Sequence, residues 1–223
     1  MWKFEIPKIV ICKGKSEENY IQELNKYFRN NDINNNFNFI PKSVGSGHFD
    51  KVRKKYRKEY KKNRKSKFII WVDKDIYVRN SKREERKNAK EYEEHLKSKN
   101  PPDFYFNEFN FEDFLILHCP KYIVLQWQKV CIKNNHFDKP MIKDKYLEVF
   151  KDFWGKTEIE SEDEPIWEMV RKMVKDVKCP LLADFISEKS LNRLFKNNKD
   201  EEIKFKSGFA DIIYETIHPP PQK

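Results

Sequence analysis

Two aspartates follow directly after an apolar stretch of the chain. Asp73 and Asp75 come after Phe68–Val72, five apolar residues with high strand propensity. An unbroken apolar run of this length is typical of a strand buried on both faces, as in parallel sheets. Open α/β sheets bind ligands just beyond the carboxyl ends of their strands, where two carboxylates can share a hard cation such as Mg²⁺. The spacing therefore predicts a cation site, with the alternative that Asp73 caps a helix and Asp75 is solvated.

The segments around these aspartates alternate between strand and helix patterns. Residues 8–12 (KIVIC) predict a first strand, and Ser16 is the expected N-cap of the helix that follows. Further strands are predicted at Phe37–Ile40, ending before Pro41, and at Phe104–Phe106. Strands that alternate with helices indicate a parallel sheet with right-handed crossovers.

Helical spacing of apolar residues dominates the second half of the chain. A short helix is predicted over residues 111–117. Longer helices are predicted at Tyr122–Ile132, Lys145–Trp154, Ile166–Val177 and Leu181–Phe195. The segment Arg79–Lys99 is also helical in composition and carries charges of both signs, which favours an exposed helix.

The positive charge of the chain is concentrated in one segment. The net charge is +10, and residues 51–67 contain eleven basic residues and one acid, which is also 11 − 1 = +10. Apolar residues at Phe49, Val52, Tyr56 and Tyr60 predict a helix that packs this segment on the sheet. Its lysines either bind a polyanion such as nucleic acid or form a solvated face. The candidate nucleic-acid contacts on this helix are Lys54, Lys55, Lys58, Lys61 and Lys62.

Composition excludes several classes of protein. No apolar run approaches the ~20 residues that a membrane-spanning helix needs, so no membrane partner is expected. The first residues, MWKFEIPK, lack the apolar region of a signal peptide. The four cysteines, at 12, 119, 131 and 179, form no CxxC pair and no ligand-spaced cluster with histidine. This argues against structural zinc and fits the reduced thiols of a cytoplasmic protein.

A few other residues predict structure rather than chemistry. Gly45-Ser46-Gly47 lacks the length and the Lys-Ser/Thr ending of a phosphate-binding loop. Cys12 is expected to be buried at the end of the first strand, and His118 to be a core or rim histidine. His136 and His218 are interpreted as surface or loop residues.

Three motifs follow one another in the first half of the chain. They are VICKGKSEENY at 10–20, WVDKDIY at 71–77 and FNFEDFLILH at 109–118. Together they resemble the RloB family, a relative of the TOPRIM fold found in bacterial defence loci, whose members read roughly CEGxTExxYF, VxDxD and PxFExWLLLH. The resemblance implies a Mg²⁺- or Mn²⁺-dependent nuclease that hydrolyses DNA or RNA in anti-phage defence. It also implies a partner ATPase in many members and is compatible with a homo-oligomer.

The resemblance assigns an architecture and roles to individual residues. It implies an α/β fold with a TOPRIM-like parallel-sheet core over residues 1–120, followed by a mostly helical region over residues 121–223. Asp73, Asp75 and Glu17 match acids that hold metal, and Glu112 matches the acid of the third motif. These four residues are the candidate catalytic residues.

One position departs from the resembled pattern. The glutamate that TOPRIM enzymes carry after the first strand is replaced by Lys13. An ammonium in place of a carboxylate opposes cation binding and favours a phosphate oxygen, and Lys15 is expected to assist it. Two hypotheses follow: an active site built from the four acids, or a degenerate module that binds nucleic acid or a partner ATPase.

Overall fold

The computed structural model describes residues 7–33, 39–45, 49–73, 90, 93–94, 97, 101–138, 141, 143–156 and 185–219. Within these residues four parallel strands form one sheet in the order β2-β1-β3-β4. The strands are β1 (Lys8–Cys12), β2 (Phe39–Ser43), β3 (Lys67–Asp73) and β4 (Asp103–Asn107). Helices flank the sheet, and the described residues after β4 are mostly helical. The predicted α/β fold with a parallel core and a helical C-terminal region is confirmed.

Both faces of the sheet are covered, which explains why its central strands are apolar throughout. All residues of β3 from Phe68 to Asp73 are buried. Because side chains alternate along a strand, Val10 and Trp71 face one hydrophobic cluster while Ile11 and Ile70 face another on the opposite side. The continuous apolar runs at 8–12 and 68–72 therefore predicted buried strands correctly.

Two helices connect the first three strands, one on each face of the sheet. Helix α1 (Lys15–Asn30) buries Tyr20, Leu24 and other residues against the face that contains Trp71. Helix α2 (Phe49–Lys62) packs on the other face through Phe49, Val52 and Tyr56, as their spacing predicted. The predicted N-cap of α1 was wrong by two residues, since Gly14 rather than Ser16 precedes the helix.

The predicted end of the second strand was also wrong. Strand β2 runs through Pro41 to Ser43 instead of stopping before the proline. Because β2 is the edge strand beside β1, one side of it has no ladder partner within the described sheet. A proline, which lacks an amide hydrogen, is tolerated in such a strand.

Five described helices follow β4: α3 (Phe111–Ile116), α4 (Lys121–Lys133), α5 (Lys143–Lys156), α6 (Glu188–Lys199) and α7 (Gly208–Ile217). They belong to the same face of the sheet as α1. Trp71 of β3 stacks on Phe209 of α7 with 4.0 Å between ring centroids. One hydrophobic core therefore includes residues on both sides of position 120. The division into residues 1–120 and 121–223 stays a prediction.

The helix predictions for the second half were partly correct. The helices predicted at Tyr122–Ile132 and Lys145–Trp154 are confirmed. The helix predicted from Leu181 begins only at Glu188, where Ser187 is the N-cap and accepts a hydrogen bond from the Ser190 amide. Residues 166–177 and most of 79–99 lie outside the described residues.

Helix α7 was not predicted. Its N-cap is Ser207, whose hydroxyl accepts a hydrogen bond from the Phe209 amide. Among the residues described, no helix is both long and apolar enough to cross a membrane.

Candidate active site

The candidate site lies at the carboxyl edge of the sheet, between β1 and β3. The chain passes from β1 to β2 on one side and places β3 on the other side of β1. Such a reversal of strand order opens a crevice at the carboxyl ends of the two central strands, where α/β proteins bind ligands. Lys13 follows β1 and Asp73 ends β3, so these two residues flank the crevice.

Asp73 is the central acid of the site. It is 3% exposed and lies opposite Asn107 in the parallel register of β3 and β4. Its Oδ2 is 3.0 Å from Nζ of Lys13, and its Oδ1 accepts a hydrogen bond of 2.9 Å from Nδ2 of Asn107. Both carboxylate oxygens are thus oriented by neighbours from adjacent strands. The alternative that Asp73 caps a following helix concerns residues after 73, which lie outside the described residues.

Asn107 is a site residue that the sequence analysis missed. Its Oδ1 accepts hydrogen bonds from Nε1 of Trp71 at 2.9 Å and from the hydroxyl of Ser207 at 2.7 Å. An amide oxygen has two lone pairs, so both are used and the NH₂ group is directed towards Asp73. The available signal was its position: it directly follows the strand pattern FYF, so it ends its strand at the same edge as Asp73.

Glu17 enters the site from the first turn of α1. It is 5% exposed, and its Oε2 accepts a hydrogen bond of 3.1 Å from the Gly14 amide. A Cβ at position 14 would lie 2.9 Å from the same oxygen, so any larger residue there would require the Glu17 carboxylate to shift. Its φ of −134° is ordinary extended backbone. Burial and the charge of Asp73 raise the pKa of Glu17 from 4.5 to about 8.

Glu112 reaches the site from the first turn of α3. That turn is held by Asn110, whose side chain accepts a hydrogen bond of 3.0 Å from the Asp113 amide. Glu112 remains partly exposed, unlike Glu17. Burial and the charge of Asp73 nevertheless raise its pKa from 4.5 to about 7. Glu17 and Glu112 each respond to Asp73 and to Lys13, so these four side chains form one electrostatic cluster.

These acids offer the type of ligand that a hard cation binds, but their oxygens do not form one tight group. Carboxylate oxygens are the ligands that Mg²⁺ and Mn²⁺ prefer. The oxygens of Glu17, Asp73 and Glu112 do not all lie within 4.8 Å of one another, because the only described trio at that spacing lies elsewhere. Mg²⁺ is commonly held by one or two carboxylates together with water, which this spacing permits. Asp75, the fourth predicted acid, lies outside the described residues.

The predicted basic residues do not all converge on the acids. Lys15 is exposed and pairs with Glu18 at 3.2 Å. Helix α2 begins after the carboxyl end of β2 and runs roughly 20 Å back towards the opposite edge of the sheet. Lys54 and Lys55 therefore lie in the half of α2 nearer the acids. Lys58, Lys61 and Lys62 lie in the further half and are exposed.

A second polar cluster, formed by Asp113, Cys131 and His136, has its ligand atoms within 4.8 Å and is buried. His136 is fully buried, so its interpretation as a surface or loop residue was wrong. Its Nδ1 accepts a hydrogen bond of 3.0 Å from the Met141 amide, which places the ring hydrogen on Nε2. Nε2 then donates to Oδ2 of Asp113 at 3.2 Å.

The spacing of this second cluster could hold a metal ion, but its polar atoms are already engaged in hydrogen bonds. Oδ1 of Asp113 accepts hydrogen bonds from Nε1 of Trp127 at 2.8 Å and from the Tyr146 hydroxyl at 2.9 Å. A metal bound to Nε2 of His136 would displace the ring hydrogen. Because Nδ1 accepts a hydrogen bond from the Met141 amide, it could not carry that hydrogen instead, so the ring would have to be an anionic imidazolate. Burial also raises the pKa of the Cys131 thiol far above its usual value in the metal-free protein.

Cys12 and His118 belong to the core, as predicted. Both are fully buried, and Nε2 of His118 lies 3.1 Å from the Tyr20 hydroxyl. Burial lowers the pKa of His118 to about 3, so it is neutral at physiological pH. His218 is exposed, as predicted.

Comparison with known proteins identified no relative of this chain. The chain matches no family model, and no curated protein or solved structure is significantly similar to it. The resemblance to the RloB family therefore depends on the three sequence motifs alone.

Proposed function

We propose that this chain is a Mg²⁺- or Mn²⁺-dependent nuclease that hydrolyses phosphodiester bonds of DNA or RNA. Its catalytic residues would be Glu17, Asp73 and Glu112, with Asp75 as a further ligand. The resemblance to the RloB family extends the proposal to anti-phage defence in the cytoplasm beside a partner ATPase. The three described free cysteines are compatible with that compartment.

The observation that carries this proposal is the electrostatic state of Glu17 and Glu112. Both approach Asp73 from helices that follow different strands, and burial and the charge of Asp73 raise their pKa values from 4.5 to about 8 and about 7. Carboxylates brought together at such a cost indicate a site that gains a cation when it works. The positive charge of Lys13 does not cancel these shifts, since the pKa values of Glu17 and Glu112 stay high in its presence.

The side chains would divide the work of hydrolysis between them. A bound divalent cation supplies an activated water and neutralises charge on the phosphate. Hydrolysis removes one proton from the attacking water and delivers one to the leaving oxygen. Glu112 is suited to that exchange, because it is partly exposed and its pKa is near 7. Asp73 and the buried Glu17 are suited to holding the cation.

The ion pair between Lys13 and Asp73 favours a second candidate function. With Nζ of Lys13 3.0 Å from Asp73, the crevice already contains one positive charge. A degenerate module of this kind would bind the phosphate backbone of nucleic acid through Lys13 without cutting it.

One experiment separates the two functions. Purified protein is incubated with single- and double-stranded DNA and RNA in Mg²⁺, Mn²⁺ or EDTA, and both binding and cleavage are measured. The nuclease proposal expects cleavage of at least one substrate in Mg²⁺ or Mn²⁺ and none in EDTA. Binding that is equal in all three conditions, with no cleavage, would establish the binding module instead.

A further inference from the structure

Lys13 is a defined member of the acid cluster rather than a surface charge. Its Nζ lies 3.0 Å from Oδ2 of Asp73, and the two side chains are only 22% and 4% exposed. Burial and Asp73 raise the pKa of Glu17 and of Glu112, and Lys13 opposes both shifts. The ammonium therefore acts on all three acids.

These four side chains together carry a definite net negative charge when the acids are ionised. When all three carboxylates ionise on binding a cation, they and the Lys13 ammonium, which already pairs with Asp73, sum to −3 + 1 = −2. One divalent cation neutralises this set, whereas two would leave it at +2. Uncompensated charge in a site shielded from water is strongly unfavourable. This sum covers the described side chains, and Asp75 lies outside them.

We propose that the site takes a single divalent cation and that the Lys13 ammonium supplies the second positive charge. This inference rests on the proposed nuclease function. Hydrolases with two metals use them to stabilise both the attacking and the leaving oxygen. A lysine ammonium offers a compact positive charge for one of those tasks. An oxygen of Asp73 that already faces Lys13 is a poor ligand for a further cation.

The test counts the Mn²⁺ ions bound to the full chain at equilibrium, measured by electron paramagnetic resonance of the free ion. Each protein is compared with the same protein carrying Glu17→Gln, so that ions bound elsewhere cancel. We expect one site ion in the wild type and two in Lys13→Glu. Lys15→Glu makes the same charge change two residues away, on an exposed side chain paired with Glu18, and should stay at one.

The outcomes distinguish this inference from the nuclease proposal. Two site ions in the wild type, or one in a folded Lys13→Glu protein, would overturn the single-cation inference and leave the nuclease proposal standing. No site ion in the wild type overturns the nuclease proposal itself. If Lys13→Glu does not fold, the Mn²⁺ affinity of Lys13→Met is measured instead. Loss of the ammonium should raise Mn²⁺ affinity by about tenfold or more, and an unchanged affinity overturns the inference.

Discussion

Asn107 donates a hydrogen bond of 2.9 Å to Oδ1 of Asp73, and this contact ties the central acid of the site to the neighbouring strand. The same amide accepts hydrogen bonds from Trp71 and Ser207 through its oxygen. Asn107 therefore links the site to the core below it and to the N-cap of α7. All four residues are buried.

Replacement of Asn107 by Ala should weaken both the fold and the site. Trp71 and Ser207 would lose their acceptor, and a buried donor without a partner costs about 1–3 kcal/mol. Asp73 would lose the contact that orients Oδ1, so Mn²⁺ affinity should fall as well. Urea unfolding measures the first effect and calorimetric Mn²⁺ titration of the folded protein measures the second. Ser207→Ala is the control, because it leaves the bond between Asn107 and Asp73 in place. Equal Mn²⁺ affinity in wild type and Asn107→Ala would contradict a positioning role.

The metal-free protein should lose stability as the pH rises towards 8. Glu17 and Glu112 have folded-state pKa values of about 8 and about 7, above the ordinary 4.5. Folding therefore binds protons, and the contribution of each group is complete below about pH 4.5 and lost as the pH passes its folded pKa. The slope is at most about 1.4 kcal/mol per pH unit for one group.

The variant Glu17→Gln isolates this effect, because glutamine resembles the protonated acid and can still accept the Gly14 amide. In EDTA it should match the wild type near pH 5 (about the ordinary glutamate range) and melt higher near pH 8. Glu18→Gln makes the same change at the next residue, where the carboxylate contacts Lys15 and Ser43. It should gain no stability at high pH. A difference in melting temperature between Glu17→Gln and wild type that stays constant across this pH range would mean that the pKa of Glu17 is not raised in the folded protein.

The buried Asp113 network should be structural and indifferent to metal. Asp113→Asn turns an amide donor towards the Nε2 hydrogen of His136 and should cost about 3 kcal/mol or more. Tyr146→Phe removes one of the donors and should cost about 1 kcal/mol. Thermal melts with and without Zn²⁺ provide the check. A Zn²⁺-dependent rise in melting temperature that Cys131→Ala abolishes would show that the cluster is a metal site after all.

The basic face of α2 should determine the salt dependence of nucleic-acid binding. If each of five lysines neutralises a duplex phosphate, their removal lowers the slope of log K against log salt by about 4.5. The lysines changed to Gln are Lys54, Lys55, Lys58, Lys61 and Lys62. The control changes five lysines of α4 and α5, namely Lys129, Lys133, Lys145, Lys151 and Lys156. Equal slopes in the two variants would identify the α2 lysines as a solvated face.

The central strands of the sheet could be predicted from the sequence because both of their faces are buried. Strands covered on both faces have apolar residues throughout, so 8–12 and 68–72 were recognisable without any tertiary information. The course of β2 was harder, because its position at the edge, which makes Pro41 acceptable, depends on strand order. The start of α6 at Glu188 depends on the cap at Ser187, which apolar spacing does not reveal.

The shared location of the three described candidate acids was predictable from the strand ends beside them, whereas their supporting contacts were not. Asp73, Glu17 and Glu112 each lie beside a strand end, and parallel strands bring such positions to one edge. Asn107 and Ser207 meet across 100 residues of sequence, and no local pattern indicates that pairing. His136 was misinterpreted for the same reason, since its burial depends on Asp113, 23 residues away.

The most direct test of the nuclease proposal is the rate of Mn²⁺-dependent cleavage by matched variants of two adjacent acids. Wild type, Glu17→Gln and Glu18→Gln are purified identically and compared at equal folded concentration on the best substrate. We expect metal-dependent cleavage by the wild type, a loss of about 100-fold or more in Glu17→Gln, and a change within about twofold in Glu18→Gln. No cleavage by the wild type, or equal cleavage by all three proteins, would contradict the assignment of this site as a nuclease centre.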